Sequence, residues 1–326
     1  MKKKYYSIVI RLVISLGLIG YFIFTLSQKE GGTAEGLHKF FRAFADAPLQ
    51  WLIPASMMHL IGLSLLSIRW KILLRGQGIH SRYGQLFTYY IMAAFFNNFL
   101  PSTIGGDTVR VVESKKLTDS TVTSLMVVIV ERLTGLMALV LIAAAGMVIT
   151  FFRSAENDVQ AWLSLAKVLA VFIVAGVLAH PKVMAWILKK TEKILPAKIH
   201  SFLNKAYSAV EIYYKRPGTF LAALGIALLI QFNMVVYFFL IAKALHQSPD
   251  PVTFMMKIPV LIFLLMTIPS VNGIGVRSAG FKGLMGYKSV HALAVETIDL
   301  GFRILYGIAG GIVFLIYRGA KEKTKT

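Results

Sequence analysis

The chain has 326 residues, of which 56% are hydrophobic and only 15% charged, with a mean hydropathy of +0.68. A soluble globular domain carries about a quarter charged residues, and here the apolar residues come in long blocks, so a soluble fold is excluded in favour of a polytopic membrane protein. The net charge of +20 does not indicate nucleic acid, because the basic residues sit in short stretches between apolar blocks, where they orient spans and meet anionic headgroups.

The N-terminus, MKKKYYSIVIRLVISLGLIGYFIFTLSQKEGG, has a basic start and an apolar stretch of about 19 residues, long enough to span a bilayer. No small-x-small cleavage site follows, so it reads as an uncleaved anchor with a cytoplasmic N-terminus. Further apolar segments lie near residues 49–68, 86–100, 122–150, 162–179, 219–242, 254–271 and 298–317. Segments 86–100 and 254–271 are short, and each runs into Pro-Ser followed by glycines. The lysine-rich stretch 180–218 belongs in the cytoplasm by the positive-inside rule. It arrives there if 86–100 dips into the bilayer and returns. The tail YRGAKEKTKT likewise ends inside if 254–271 does the same. The expected fold class is all-α, a polytopic membrane helix bundle with six crossings and two re-entrant segments. Residues 181–216 mix apolar positions with lysines at helical spacing. They read as one or two amphipathic helices broken near Pro196 on the cytoplasmic face, or as a solvated connector.

The two short segments share an ending. LPSTIGGDTVR (100–110) aligns with IPSVNGIGVR (268–277) with one gap, matching Pro101 and Ser102 to Pro269 and Ser270, and Arg110 to Arg277. Each is followed by a long apolar segment carrying charge: Glu131 and Arg132 in the first, Glu296, Asp299 and Arg303 in the second. The chain thus reads as a single membrane domain, 1–326, holding a repeat at about 49–150 and a second at about 219–317. With one segment dipping from inside and the other from outside, these form an inverted repeat, whose interrupted segments point to a transporter binding site.

Backbone freed from helix exists at membrane depth only where protein or a watery cavity satisfies it. Pro ends the incoming helix, and Gly allows the tight turn and close approach. Asn97 and Asn98, with the amides around Ser102, Gly105, Gly106, Gly273 and Gly275, are then candidates to face a polar headgroup. Arg110, Arg132, Arg277 and Arg303 offer forked donors suited to phosphate, and Asp107, Glu131 and Asp299 balance them. Two alternatives stand beside this reading. The arginines and acids form ion pairs that hold helices in register, and Asp107 caps the helix starting near Thr108.

NNFLPSTIGGDTVR, ERLTGL and IPSVNGIGVR resemble the lysylphosphatidylglycerol synthase transmembrane-region family, from about residue 8 to 318. The resemblance implies a multi-helix inner-membrane domain that binds an anionic or aminoacylated phospholipid and moves it between leaflets. It lands on Asn97, Pro101, Ser102, Gly105, Gly106, Asp107 and Arg110, then on Glu131 and Arg132, then on Pro269, Gly273, Gly275 and Arg277. Members usually carry an acid after the last arginine, where this chain has Ser278. The soluble aminoacyltransferase domain of the full-length synthases is not matched, so lysine transfer is not assigned.

The function expected is lipid translocation without a covalent step, with an anionic phospholipid headgroup as partner and both termini cytoplasmic. No P-loop, HExxH spacing or cysteine is present, so no cofactor and no metal are expected; among the histidines only His59 lies within an apolar segment. Two rivals remain: a membrane platform recruiting a separately encoded soluble enzyme through 181–216, and a membrane-embedded lysyltransferase or glycosyltransferase-type enzyme.

Overall fold

The computed structural model describes residues 38, 41–43, 45–99, 104–118, 121–153, 181–191, 196, 200–201, 204, 207–208, 211–213, 215–268, 270 and 272–323. The N-terminal anchor, the segment 162–179 and Ser102 lie outside the described residues. Among the described residues no strand occurs, and the fold is an all-α polytopic membrane bundle.

The longer helices are α1 (Leu49–Gly76), α2 (Tyr83–Phe99), α3 (Ile104–Thr118), α4 (Thr121–Arg153), α5 (Pro181–Thr191), α6 (Pro217–Ala244), α7 (Pro251–Thr267), α8 (Val276–Met285) and α9 (Ser289–Lys323). Four of these, α1, α4, α6 and α9, contain stretches long and apolar enough to cross a membrane. By contrast α2 and α7 have 17 residues each, a rise of about 26 Å against about 30 Å of hydrocarbon.

Two sets of helices share one rhythm. The set α1, α2, α4 has lengths of 28, 17 and 33 residues, and the set α6, α7, α9 has 28, 17 and 35. Their boundaries fall at one constant interval: Leu49 with Pro217, Gly76 with Ala244, Tyr83 with Pro251, Phe99 with Thr267, and Thr121 with Ser289. The short helices differ, α3 having 15 residues and α8 having 10.

Local chemistry sets the ends. Asp250 caps α7 by accepting from the Thr253 amide at 2.7 Å, with Pro251 at the first helical position, where its missing N–H costs nothing. The turn entering α8 needs left-handed backbone at Asn272 (φ 52°), Gly273 (φ 78°) and Gly275 (φ 80°). Glycine adopts that region freely and Asn tolerates it. The NGIG run is therefore the sequence this turn demands.

By contact, the chain divides into two units. One holds α1 up to Leu63, α2 from Phe87, α3 up to Arg110, and everything from Phe232 onward; the other holds Ser64–Leu86 and Val111–Gln231. In the first, α2 lies close against α9. A Cβ at Gly307 would meet the Asn98 amide, at Gly310 the Ile91 carbonyl, and at Gly311 the Phe95 ring. Phe96 and Phe314 meet edge to face with centroids 5.1 Å apart. In the second, the last carbonyls of α1 are capped from outside the helix. Tyr213 donates to Leu73 O at 2.8 Å and Arg216 to Gly76 O at 2.9 Å, satisfying acceptors the helix cannot reach. Burial pushes the Tyr213 hydroxyl up to about 12, which keeps it a neutral donor.

Within 181–216, α5 covers Pro181–Thr191, Pro196 is not helical, and His200 and Ser201 are helical. On α5, Leu188 is buried while Trp186, Lys189 and Lys190 are exposed.

Candidate functional site

In the first unit, polar side chains from α2, the turn before α8, α8 and α9 converge. Asn98, on the last turn of α2, accepts from the Asn272 amide at 2.9 Å and donates to the Arg303 carbonyl at 2.7 Å. Arg303 reaches back, with Nη1 3.3 Å from the Asn272 carbonyl oxygen and Nε donating to Asp299 Oδ2 at 2.7 Å. Asp299 is 1% exposed and accepts from the Tyr237 hydroxyl through Oδ1 at 2.7 Å. Arg277 completes the group, its Nε 3.2 Å from the same Oδ2. The two arginines thus share one carboxylate oxygen.

They are not equivalent. The Arg277 side chain is 1% exposed, and its Nε and Nη1 have no hydrogen-bond partner, so the ion pair is close but not aimed along an N–H. The Arg303 side chain is 31% exposed. A buried guanidinium with unmet donors is costly, and such donors mark a place where an acceptor belongs.

Glu296, 4% exposed, does a separate task. Its Oε1 accepts from the Gly275 amide at 2.6 Å and its Oε2 from the Ser278 amide at 2.8 Å. Both oxygens thereby complement the positive end of α8. A helix start that would otherwise draw an external anion already holds an internal one.

The first break is built on the same idea with a neutral group. Asn97 Oδ1 accepts from the Gly106 amide at 2.8 Å in the first turn of α3. A Cβ at Gly106 would fall 2.6 Å from the Asn97 amide, so this glycine is needed for close approach. Arg110 is buried, its guanidinium 4.0 Å over the Tyr90 ring, a cation–π geometry. Gly105 and Asp107 lie on α3; beyond their helical backbone they fall outside the described residues.

In the second unit Glu131 is buried and accepts from Arg69 Nη2 at 2.9 Å, the side chains being 5% and 7% exposed. Arg132 is exposed, because neighbours on a helix point about 100° apart. The pairing follows the constant interval between the two helix sets. Arg69 to Glu131 and Tyr237 to Asp299 are each 62 residues apart, so Arg69 corresponds to Tyr237 and Glu131 to Asp299. By the same interval Gly135 corresponds to Arg303. Gly135 lies beside Arg69, where a Cβ would be 3.4 Å from Nη1. Each acid therefore meets an arginine, supplied by the earlier helix in one set and by the long helix in the other.

Buried charged clusters within apolar helices accompany a family match. A family described as lysylphosphatidylglycerol synthase TM region matches residues 8–312. The chain belongs to that family. It is also 25% identical over 314 residues to the UPF0104 membrane protein MJ1595 of Methanocaldococcus jannaschii, covering 89% of this chain and 91% of that one. No solved structure matches. Family membership and the four apolar helices make this a membrane-embedded, multi-pass protein with a role connected to membrane lipid.

The structure gathers Asn98, Gly273, Gly275, Arg277, Asp299 and Arg303 around one network, joins Asn97 to Gly106, and places Glu131 in the other unit. It adds Asn272, Glu296, Tyr237 and Arg69, which sequence reasoning left out of the site. Asn-Gly is a left-handed turn signal that points to Asn272. Tyr237 and Arg69 lie inside long helices, far in sequence from their partners, and only the interval between the two helix sets would have found them. His59 stacks on Tyr306 at 5.0 Å with 7° between ring planes, an aromatic packing contact beside the network.

Proposed function

We propose that this family member carries a phospholipid between the leaflets of the cell inner membrane, without covalent chemistry. The observation that carries the reading is the meeting of the two interrupted segments. Asn98 from the first and Asn272 from the second bond each other, and both hold Arg303. Ionisable residues within apolar spans cost about 2.5–3.5 kcal/mol each on insertion scales, so a buried Arg277–Asp299 pair with the part-exposed Arg303 on the same carboxylate favours a use beyond packing. The shared rhythm of the two helix sets supports an inverted repeat, and the 17-residue α2 and α7 support re-entrant segments, both termini then being cytoplasmic. Rocking of one repeat against the other would expose the headgroup to each side in turn.

The test is flipping of a fluorescent phosphatidylglycerol in proteoliposomes, read by quencher access to the inner leaflet. Wild type should raise the rate over empty vesicles, and Arg303→Ala should abolish the increase while helicity and elution volume stay unchanged. Equal rates with and without wild-type protein would overturn the reading. Single-cysteine labelling at Lys193 and Ser270, in a chain with no native cysteine, tests the topology; labelling of position 193 from outside alone would contradict it.

A second reading has one observation of its own. On α5, Lys190 Nζ lies 4.6 Å from the exposed Trp186 ring beside exposed Lys189, a basic-aromatic face suited to recruiting a soluble enzyme. Loss of a co-purifying enzyme in Lys189→Ala/Lys190→Ala, with flipping absent from wild type, would favour that platform.

A further inference from the structure

The cluster around Asp299 has its acceptors engaged and its donors in excess. Asp299 Oδ1 takes the Tyr237 hydroxyl, and Oδ2 takes Arg303 and the Arg277 ion pair. Both oxygens of Glu296 are held by amides of the turn and first residues of α8. Asn98 Oδ1 accepts from Asn272, and Asn272 Oδ1 accepts from Arg303. On the donor side, Nε and Nη1 of Arg277 are buried without a hydrogen-bond partner, and Arg303 is the part-exposed member at 31%. Two guanidiniums face one shared carboxylate, and the other carboxylate is committed to the helix start.

We propose that this site selects a headgroup carrying a phosphate monoanion and no ammonium group. A phosphodiester supplies acceptors for the unmet Nε and Nη1 of Arg277 beside the part-exposed Arg303, in the forked geometry a guanidinium matches. An aminoacyl or ethanolamine headgroup brings an ammonium that needs a carboxylate or carbonyl, and the acid and amide oxygens of this network already have partners. Leaving that ammonium unpaired beside two arginines sets the preference. Ser278 fits the same selection: it is buried, its amide is held by Glu296, and its hydroxyl bonds Gly275 O at 3.2 Å. An acid at that position would sit against Glu296. Beyond Arg303, Ile304, Ile308 and Ile312 are exposed along α9 at helical spacing, a face that suits the acyl chain of a lipid and not a free anion.

This inference rests on the lipid-carrier reading only for the identity of the ligand, so its test is equilibrium binding and not transport. Retention of phosphatidylglycerol, its lysyl ester, phosphatidylethanolamine and inorganic phosphate would be compared on the detergent-purified chain by native mass spectrometry. Wild type should hold phosphatidylglycerol at least about tenfold tighter than either ammonium-bearing lipid. Arg277→Lys, which keeps the charge but loses the fork, should weaken that binding. Asn272→Asp, at a half-buried position whose left-handed backbone suits Asp, adds an acceptor beside Arg303 and should shrink or reverse the preference. Equal or tighter binding of the lysyl ester by wild type overturns the proposal, even if flipping is observed. Unchanged selectivity in both variants overturns it too, as does inorganic phosphate that displaces the lipid and binds as tightly as it does, which would make the site one for a free anion. Selective binding without flipping would sustain this inference and sink the carrier reading.

Discussion

Glu131 and Asp299 hold matching places in the two helix sets, yet their surroundings differ in one decisive respect. Glu131 meets Arg69, whose side chain is 7% exposed, whereas Asp299 meets Arg303, which is 31% exposed, and Arg277, which is buried. The arginine has changed helices between the sets, with Gly135 lying beside Arg69 in one and Tyr237 standing opposite Arg303's acid in the other. An arginine on α1 is enclosed with its acid. One on α9, a turn beyond its acid, reaches outward to Asn272 at the break. Matching helix sets can thus hold a buried ion pair in one half and, in the other, a part-exposed group with two arginines on one acid.

The largest effect expected is from removing the acids themselves. Asp299→Ala leaves Arg277 buried without its counter-charge, and loss of one partner of a buried pair costs about 3–5 kcal/mol. Glu131→Ala leaves Arg69 in the same position. Thermal unfolding in a fixed detergent should show both losses. Lipid retention separates the two halves, since only the Asp299 variant should also lose bound phosphatidylglycerol. If the Glu131 variant loses lipid equally at equal stability, the contrast between enclosed and open sites fails.

Next comes the Tyr237 hydroxyl. Tyr237→Phe removes one hydrogen bond to a buried carboxylate, and bonds to charged groups are worth about 1.5–3 kcal/mol. The lower unfolding temperature should come with lipid retention largely intact, because Asp299 still holds Arg277 and Arg303 in place. An unchanged midpoint would mean that Asp299 finds its second donor elsewhere.

The two breaks offer a smaller comparison. At Gly273 a methyl group meets Leu265 at 2.8 Å and Arg277 at 3.0 Å on backbone with φ 78°, so Gly273→Ala carries a left-handed penalty of about 1–2 kcal/mol plus a clash. At Gly106 the methyl meets only the Asn97 side chain among its nearest atoms, and no positive φ is involved. Gly106→Ala should therefore destabilise less, at the cost of the Asn97 bond. The reverse order of midpoints would show that the first break, not the second, is the tighter one.

These contrasts also mark what the amino-acid sequence made legible. Long apolar blocks gave the positions of α1, α4, α6 and α9, and the glycines after the second Pro-Ser located the turn between α7 and α8, because those residues are read by local backbone physics. The helices run past the apolar blocks, α1 to Gly76 and α9 to Lys323, since polar and basic residues continue a helix readily. Partners were harder to see. Glu131 and Arg132 stand side by side in the sequence, but neighbours on a helix diverge, and Glu131 bonds Arg69, 62 residues away. Glu296 carries nothing local that announces it will cap α8. Such contacts depend on how helices meet, which composition and spacing do not encode.

The sharpest test of the comparison is also the smallest effect. If the two sets are equivalent and the arginine has moved between helices, the first set should accept the arrangement of the second. Arg69→Tyr alone leaves Glu131 with a hydroxyl where a guanidinium stood. Gly135→Arg alone crowds a second arginine against Arg69, whose Nη1 already lies 3.4 Å from where the Cβ would be. Together they would rebuild around Glu131 the pattern found at Asp299, with tyrosine on the earlier helix and arginine one turn beyond the acid. The double variant should then be more stable than the sum of the single losses, with a coupling of about 1 kcal/mol, within the range seen for residues sharing a partner. Gly135→Arg should also open the half that is now enclosed, so the double variant should gain a second bound phosphatidylglycerol. Additive losses with no gain of lipid would mean that the two acids share spacing without sharing architecture, and that the open site depends on Asn272 and Arg277 rather than on where the arginine sits.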